Sequence, residues 1–291
     1  MTRPFPTPNQ LPTHKIMFRQ FMTIATEELQ YALTSLRYQL THGLRTTPAK
    51  VLVNGSPKSG TTWMLKMIAS IPGYRDIGNF NGDIQRYHTV QPGDVVHGHD
   101  WYTPELKQIL EQNNIRVILM IRDPRDQLVS RMFHVRRSAK HAWHERMKEM
   151  SIGEALMLCI EGREGLPGMD KMIQLAQTWI DGDAEMLCVR YEELLADPVT
   201  HFQQVIHYLG ISGNPDLAQV VVRRNRFERL SMGKRFWKKA RKPGEENANS
   251  HFRKGIAGDW RNYLKPEHIA RFKEVAGEQL IALGYERDLN W

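Results

Sequence analysis

Residues 54–63 read Asn54-Gly55-Ser56-Pro57-Lys58-Ser59-Gly60-Thr61-Thr62-Trp63, directly after the apolar run Val51-Leu52-Val53. A glycine- and serine-rich turn that feeds a helix N-terminus is an anion site. Its unpaired backbone N–H groups point outward, and the helix dipole adds about half a positive charge. Gly60 lets the backbone come close to an anion, Thr61 and Thr62 supply hydroxyls, and Lys58 supplies a cation. The spacing from Gly55 to Gly60 mimics a Walker A loop, but Thr61 stands where that loop carries its lysine, which has moved upstream to Lys58. A second anion pocket can form where Arg122 and Ser130 meet at a strand end and the helix after it. Arg253, Lys254 and the backbone of Gly255 would close that pocket from the far end of the chain. His97 and His99 flank Gly98 just past another apolar run, and an imidazole's pKa suits it to taking a proton near neutrality. These residue types can hold an anion at two places and accept a proton between them, which are the needs of a transfer reaction.

The elements that must position these residues alternate between strand and helix. Val51–Val53 reads as a buried strand, followed by a helix over 61–70, and Asp94–Val96 reads as another strand. Thr103-Pro104-Glu105 gives a helix running to Gln112 its capping hydroxyl, first-turn proline and first-turn acid. Arg116–Ile121 is the strongest strand signal, and a helix follows Pro124. Helical periods recur at 151–162 and 169–181, and Glu185–Arg190 is strand-like. Asp197-Pro198 opens a helix that stops at Gly210, and Asn214-Pro215 opens the next. Continuously apolar strands predict a parallel sheet covered on both faces. The expected fold is therefore α/β: a P-loop-like, three-layer arrangement with a central parallel sheet flanked by helices. Ligands in such sheets bind at the carboxyl ends of the strands.

Residues 46–291 read as a single domain. Ahead of it, residues 1–15, with Pro4, Pro6, Pro8 and Pro12, read as an extended arm. Apolar residues at helical spacing from Phe18 to Leu40 predict an amphipathic helix packed on the main domain, with a membrane-surface helix as the alternative. Residues 232–250, carrying the basic cluster Lys234 to Lys242, read as a mobile basic loop.

With 41% hydrophobic and 25% charged residues among 291, the chain is globular and not disordered. A net charge of +8 calls for an anionic partner, whether a nucleotide, a phosphorylated substrate, nucleic acid or an acidic membrane. Cys159 and Cys188 lie in apolar runs and read as buried, reduced thiols; no Cys/His spacing matches a metal site. No stretch resembles a signal peptide or reaches the ~18 apolar residues of a membrane span, so cytoplasmic residence is the expectation.

Three ordered segments carry a family resemblance. Pro57–Trp63 is similar to the 5′-phosphosulfate loop of the cytosolic-type sulfotransferases. Arg122-Asp123-Pro124-Arg125-Asp126-Gln127-Leu128-Val129-Ser130 resembles that family's 3′-phosphate segment. Arg253-Lys254-Gly255-Ile256-Ala257-Gly258-Asp259-Trp260 resembles its late Arg-Lys-Gly-x-x-Gly-x-Trp signature. The resemblance implies transfer of a sulfuryl group from 3′-phosphoadenosine 5′-phosphosulfate (PAPS) to a small-molecule hydroxyl or amine, leaving PAP. It implies a nucleotide site of Lys58, Ser59, Gly60, Thr61, Thr62, Trp63, Arg122, Ser130, Arg253, Lys254 and Gly255, with Trp63, Tyr191 and Phe227 around the adenine. Lys58 balances charge on the leaving phosphate, Ser130 shares that duty through the 3′-phosphate, and no metal is required.

Where the family has Lys-Thr-His-Leu-Pro, this chain has His97-Gly98-His99-Asp100, which makes His99 the base and puts His97 in the lysine's place. The departure leaves His97 open as the base, with Asp100 available to orient either ring. A carboxylate base, as in the Golgi carbohydrate sulfotransferases, is the other alternative. After Trp260 the family's dimer segment is replaced, so its dimer mode does not transfer. A P-loop kinase or NTPase is the rival enzyme reading, opposed by Thr61 and by the lack of a clear Mg²⁺ carboxylate. A nucleic-acid binder is the other rival, opposed by the lack of a recognised module.

Overall fold

The computed structural model describes residues 13–43, 46–211, 215–233 and 240–291. Most of the proline-rich arm and residues 234–239 of the basic cluster lie outside the described residues.

Five strands form one parallel sheet: β1 (Lys50–Asn54), β2 (Arg75–Asp76), β3 (Asp94–His97), β4 (Ile115–Ile121) and β5 (Met186–Arg190). Their order is β2-β3-β1-β4-β5. The register sets Val53 beside His97 and Asn54 beside Leu119, so the carboxyl ends of β1, β3 and β4 finish together. The chain places β2 and β3 on one side of β1 and β4 and β5 on the other. That reversal puts a ligand crevice at the end of β1.

Helices cover both faces. They are α1 (Thr13–Tyr38), α2 (Thr61–Ile68), α3 (Pro104–Gln112), α4 (Pro124–Arg137), α5 (His144–Glu149) and α6 (Ile152–Glu161). They continue with α7 (Met169–Ile180), α8 (Tyr191–Ala196), α9 (Pro198–Tyr208), α10 (Pro215–Arg224), α11 (Phe227–Met232) and α12 (Pro266–Ala282). The caps follow the sequence signals: Thr103 Oγ1 accepts from the Leu106 amide, Asp197 from Thr200, and Ser151 and Glu154 form a capping box.

Alternate strand residues enter opposite cores. Val51, Val53, Ile118 and Met120 pack with α2, α9 and α10, whereas Leu52, Val96, Val117 and Leu119 pack with Trp179 of α7 and Leu106 of α3. A third core, around Met132, Leu156 and Phe272, joins α4, α6, α7 and α12. Each fully buried side chain of this kind stabilises the fold by about 1.5–3 kcal/mol.

Three expectations are corrected. Helix α1 forms but docks by its other face: Glu27 pairs with Arg226 (2.7 Å), Glu28 with Arg229, and Tyr31 Oη donates to Ser70 O (2.6 Å). Its apolar row faces solvent, because these ion pairs and Tyr38 supply the contact in its place. Cys188 is exposed, since β5 is an edge strand, while Cys159 is buried. Residues 240–250 are irregular yet tied down: Arg241 donates to the carbonyls of Phe252 and Arg253, and the Gly244 amide donates to Lys254 O (2.8 Å).

Candidate active site

The loop after β1 turns on two unusual backbones. Lys58 has φ 73°, in the left-handed region that a non-glycine residue occupies at a cost of about 1–3 kcal/mol. The turn is held by the Ser59 amide donating to Ser56 O (3.1 Å) and by Arg122 Nη1 donating to Lys58 O (3.2 Å). Gly60 has φ 106°, and a Cβ there would lie 2.8 Å from the Tyr191 ring. Helix α2 starts on Gly60 with no side-chain cap, so its leading amides have no internal partner. Of the loop residues expected to hold the nucleotide, Ser59 alone is turned away: its side chain is fully buried and forms no part of the cleft wall.

At the end of β4, Arg122 stacks 4.3 Å over the Tyr191 ring. Neither neighbouring aspartate holds it. Asp123 pairs with Arg125 (2.8 Å), which lies between the rings of Trp260 and Trp291. Asp126 accepts from the amides of Gly258 (2.7 Å) and Trp260 (2.9 Å), clasping the C-terminal segment to α4. That clasp brings Arg253, Lys254 and Gly255 to the cleft lined by the loop before α2. Arg253 and Lys254 both bind Asp259, and Arg253 also binds Glu246 (2.5 Å). Gly255, at φ 67°, lies against Phe227 so closely that a Cβ would come within 2.3 Å of the ring.

His99 Nδ1 lies 2.6 Å from Gly55 O. A carbonyl only accepts, so Nδ1 carries the proton and Nε2 keeps a lone pair. Asp100 orients neither histidine by hydrogen bond. Its carboxylate accepts from Tyr87 Oη (2.6 Å), and its backbone is held by Asn54 and Trp179.

These groups surround one cleft of about 310 Å³. Lys58, Gly60, Thr61, Thr62, Trp63, Arg122, Ser130, Tyr191, Phe227, Arg253, Lys254 and Gly255 all line it, as do His97 and His99. No aspartate or glutamate lines it among the described residues, so a carboxylate base has no candidate there. Sequence reading missed His134, Leu195, Leu230, His251 and Phe252 in the wall. Helical spacing carried a signal for three of them: His134 is one turn after Ser130, Leu195 one turn after Tyr191, and Leu230 one turn after Phe227. His251 and Phe252 sit on irregular chain and gave none.

The cleft holds excess positive charge. Burial, followed by Arg137, Arg122 and Arg253, lowers Lys58 from 10.5 to about 7. Burial, followed by Lys58 and Arg137, lowers His134 to about 4 and His251 to about 3. Burial also lowers His99. His134 Nδ1 faces Arg137 Nη2 (3.1 Å), and a guanidinium only donates, so this ring is neutral with its proton on Nε2.

A family model described as the sulfotransferase domain matches residues 48–284. The chain belongs to the sulfotransferase family. This sulfotransferase is 23% identical over 252 residues to cytosolic sulfotransferase 3 of Arabidopsis thaliana, across 82% of the chain and 79% of that relative. It is 24% identical over 266 residues to flavonol 3-sulfotransferase of Flaveria bidentis, across 81% and 83%. A mouse sulfotransferase solved in complex with PAP matches it with a TM-score of 0.61 at 22% identity, over 81% of this chain and 87% of that one. A retinol dehydratase solved with retinol and PAP matches with a TM-score of 0.54 at 18% identity, over 82% and 83%. The α/β fold and the enzyme class expected of the sequence are thereby established. No described helix of this sulfotransferase is long and apolar enough to cross a membrane.

Proposed function

We propose that the cleft binds PAPS and that the enzyme moves its sulfuryl group to a hydroxyl, or an unprotonated amine, of a small-molecule acceptor. One observation carries this reading. Lys58, a cation with no carboxylate partner among the described residues, shares the cleft with a histidine whose Nε2 lone pair is available. His99 Nε2 takes the acceptor proton as the acceptor oxygen bonds to sulfur. The bond from sulfur to the bridging oxygen breaks, its electron pair stays on the 5′-phosphate, and Lys58 neutralises that charge. The α2 amides with Thr61 and Thr62 hold the phosphosulfate. Arg122, Ser130 and the Arg253–Gly255 segment hold the 3′-phosphate, and Trp63, Tyr191 and Phe227 wall the adenine. The chain's own cations supply the counter-charge, so no metal enters the scheme. Solved relatives carrying PAP, one with retinol and one with androsterone, support a nucleotide plus a small acceptor.

The acceptor end of the cleft is marked by His97, His134 and His251. His134 offers Nε2–H to an acceptor oxygen, and the surrounding guanidinium groups disfavour a cationic acceptor. Incubation with PAPS and panels of neutral hydroxyl compounds, cationic amines and anionic phenols, read by mass gain, tests this. Turnover of the cationic set alone contradicts it.

Arg122 and Arg253 separate in their consequences. Arg122 has no carboxylate partner among the described residues, so Arg122→Ala weakens PAP binding about 10–100-fold, as expected for a charge-assisted contact, and lowers Tm only by the loss of its bond to Lys58 O and its stacking on Tyr191. Arg253→Ala weakens PAP and also lowers Tm, because Asp259 and Glu246 lose a partner. Calorimetric binding and thermal melting on both variants read the difference; equal Tm losses would remove the distinction.

Binding is also linked to protons. Lys58 is lowered to about 7 in the unliganded protein, and an adjacent phosphate raises it again. Below pH 7 the amine is already charged and affinity is full. Above it, binding must take up a proton and affinity falls, by up to tenfold per pH unit, until the bound-state pKa is passed. Calorimetry of PAP binding at pH 8 in buffers of differing ionisation enthalpy shows proton uptake, and Lys58→Ala removes it.

A further inference from the structure

Among the described residues, the outward row of α1 has no partner. Phe18, Met22, Leu29, Leu33, Leu36 and Leu40 are each 48–64% exposed, with Ala25 among them. They repeat every eleven residues: 18 to 29, 22 to 33, 25 to 36 and 29 to 40. Eleven residues in three turns lies close to the helix's own period, so within α1 the row from Phe18 to Leu36 runs along one side for about 27 Å, and Leu40 follows in the π-helical turn Gln39–Gly43. The heptad spacings 18 to 25, 22 to 29 and 29 to 36 are kept as well, so period alone does not separate a second copy of this helix from another occupant.

Charge selects the occupant. The two acids of α1, Glu27 and Glu28, are drawn inward onto Arg226 and Arg229. The outward half keeps Arg19 and Arg37, both exposed, and no acid. They lie 18 residues, or about five turns, apart, so both border the same edge of the row. A second copy laid on this face brings arginines with no acid to meet them. An anionic lipid surface meets both, while the row enters the boundary between headgroups and acyl chains. The domain stays above, held to the helix by its polar face.

We propose that α1 binds the protein peripherally to anionic phospholipid bilayers through this row. The inference is independent of the sulfuryl-transfer reading, because it is read without turnover. The full chain is sedimented with phosphatidylcholine vesicles, with and without phosphatidylserine. It is expected to bind the anionic vesicles and to lose affinity as salt rises. Leu33→Glu with Leu36→Glu weakens vesicle binding about 100-fold or more, since two leucines no longer enter the boundary. Arg19→Glu with Arg37→Glu weakens it about tenfold or more. Both pairs are exposed, so Tm and turnover of a water-soluble acceptor stay as in the parent. Unchanged vesicle binding in the leucine pair, or none by the parent chain, overturns the proposal. So does a dimer in solution that the leucine pair dissolves, which assigns the row to a second copy.

Discussion

Lys58→Ala is expected to lower kcat by about 10³-fold, the upper range for removing one preorganised charge stabiliser from a transition state. The magnitude rests on position. Lys58 stands at the turn before α2, where the leaving phosphate gathers negative charge in the proposed scheme, and among the described residues no acid lines the cleft to dilute it. The fold should hold, because the lost group is a cation crowded by three guanidinium groups and makes no salt bridge. PAP affinity falls much less than kcat, since Arg122 and the α2 amides remain. Lys58→Arg keeps a charge but removes its titration near neutrality, so it restores part of the rate and flattens the alkaline fall. Steady-state rates at saturating PAPS, set beside PAP calorimetry and a melting curve, decide the point. Wild-type turnover in Lys58→Ala would take the lysine out of the mechanism.

The second large effect belongs to His99. His99→Ala lowers kcat by about 10²–10⁴-fold, the usual contribution of a positioned base, with PAP affinity nearly unchanged. The bond to Gly55 O fixes the tautomer that leaves Nε2 basic. Burial holds the pKa of His99 below 6.5, so the ring stays neutral through mild acid. The rate therefore falls only as pH drops below 6.5 toward the lowered value, and this acidic limb vanishes in the variant. His97→Ala has a smaller effect. A larger loss for His97 than for His99 moves the base two residues upstream.

That the residues of the proposed nucleotide end would share one cleft was legible because they lie in local runs: a turn before a helix, a strand end before a capped helix, and a glycine beside two cations. Backbone amides and helix ends are set by neighbours in sequence, so local pattern suffices. The acceptor end was not legible. His251 is placed by Arg241 and by the Gly244–Lys254 contact on irregular chain, where no period announces a position. Nor did composition show that Asp259 would share both Arg253 and Lys254. The fold was readable where strands were continuously apolar. The two-residue β2 and the short α5, α8 and α11 fall below the length at which a period can be counted. Helix α12, by contrast, carries a countable row at Ile269, Phe272, Val275, Ala276 and Leu280. The face by which α1 docks was misjudged for a physical reason: an apolar row marks what leaves water, and not which surface receives it.

The clasp of Asp126 onto Gly258 and Trp260 spans 132 residues of chain. On a ribosome adding about 5–20 residues per second, the carboxylate is made roughly 7–26 s before its partners. The sheet and the turn at Lys58 are complete in that interval, but the Arg253–Gly255 wall is not. The nascent chain therefore passes β5 with a half-built cleft and an unmet carboxylate on α4, and in the proposed scheme the site can hold its donor only after Trp260 has been made.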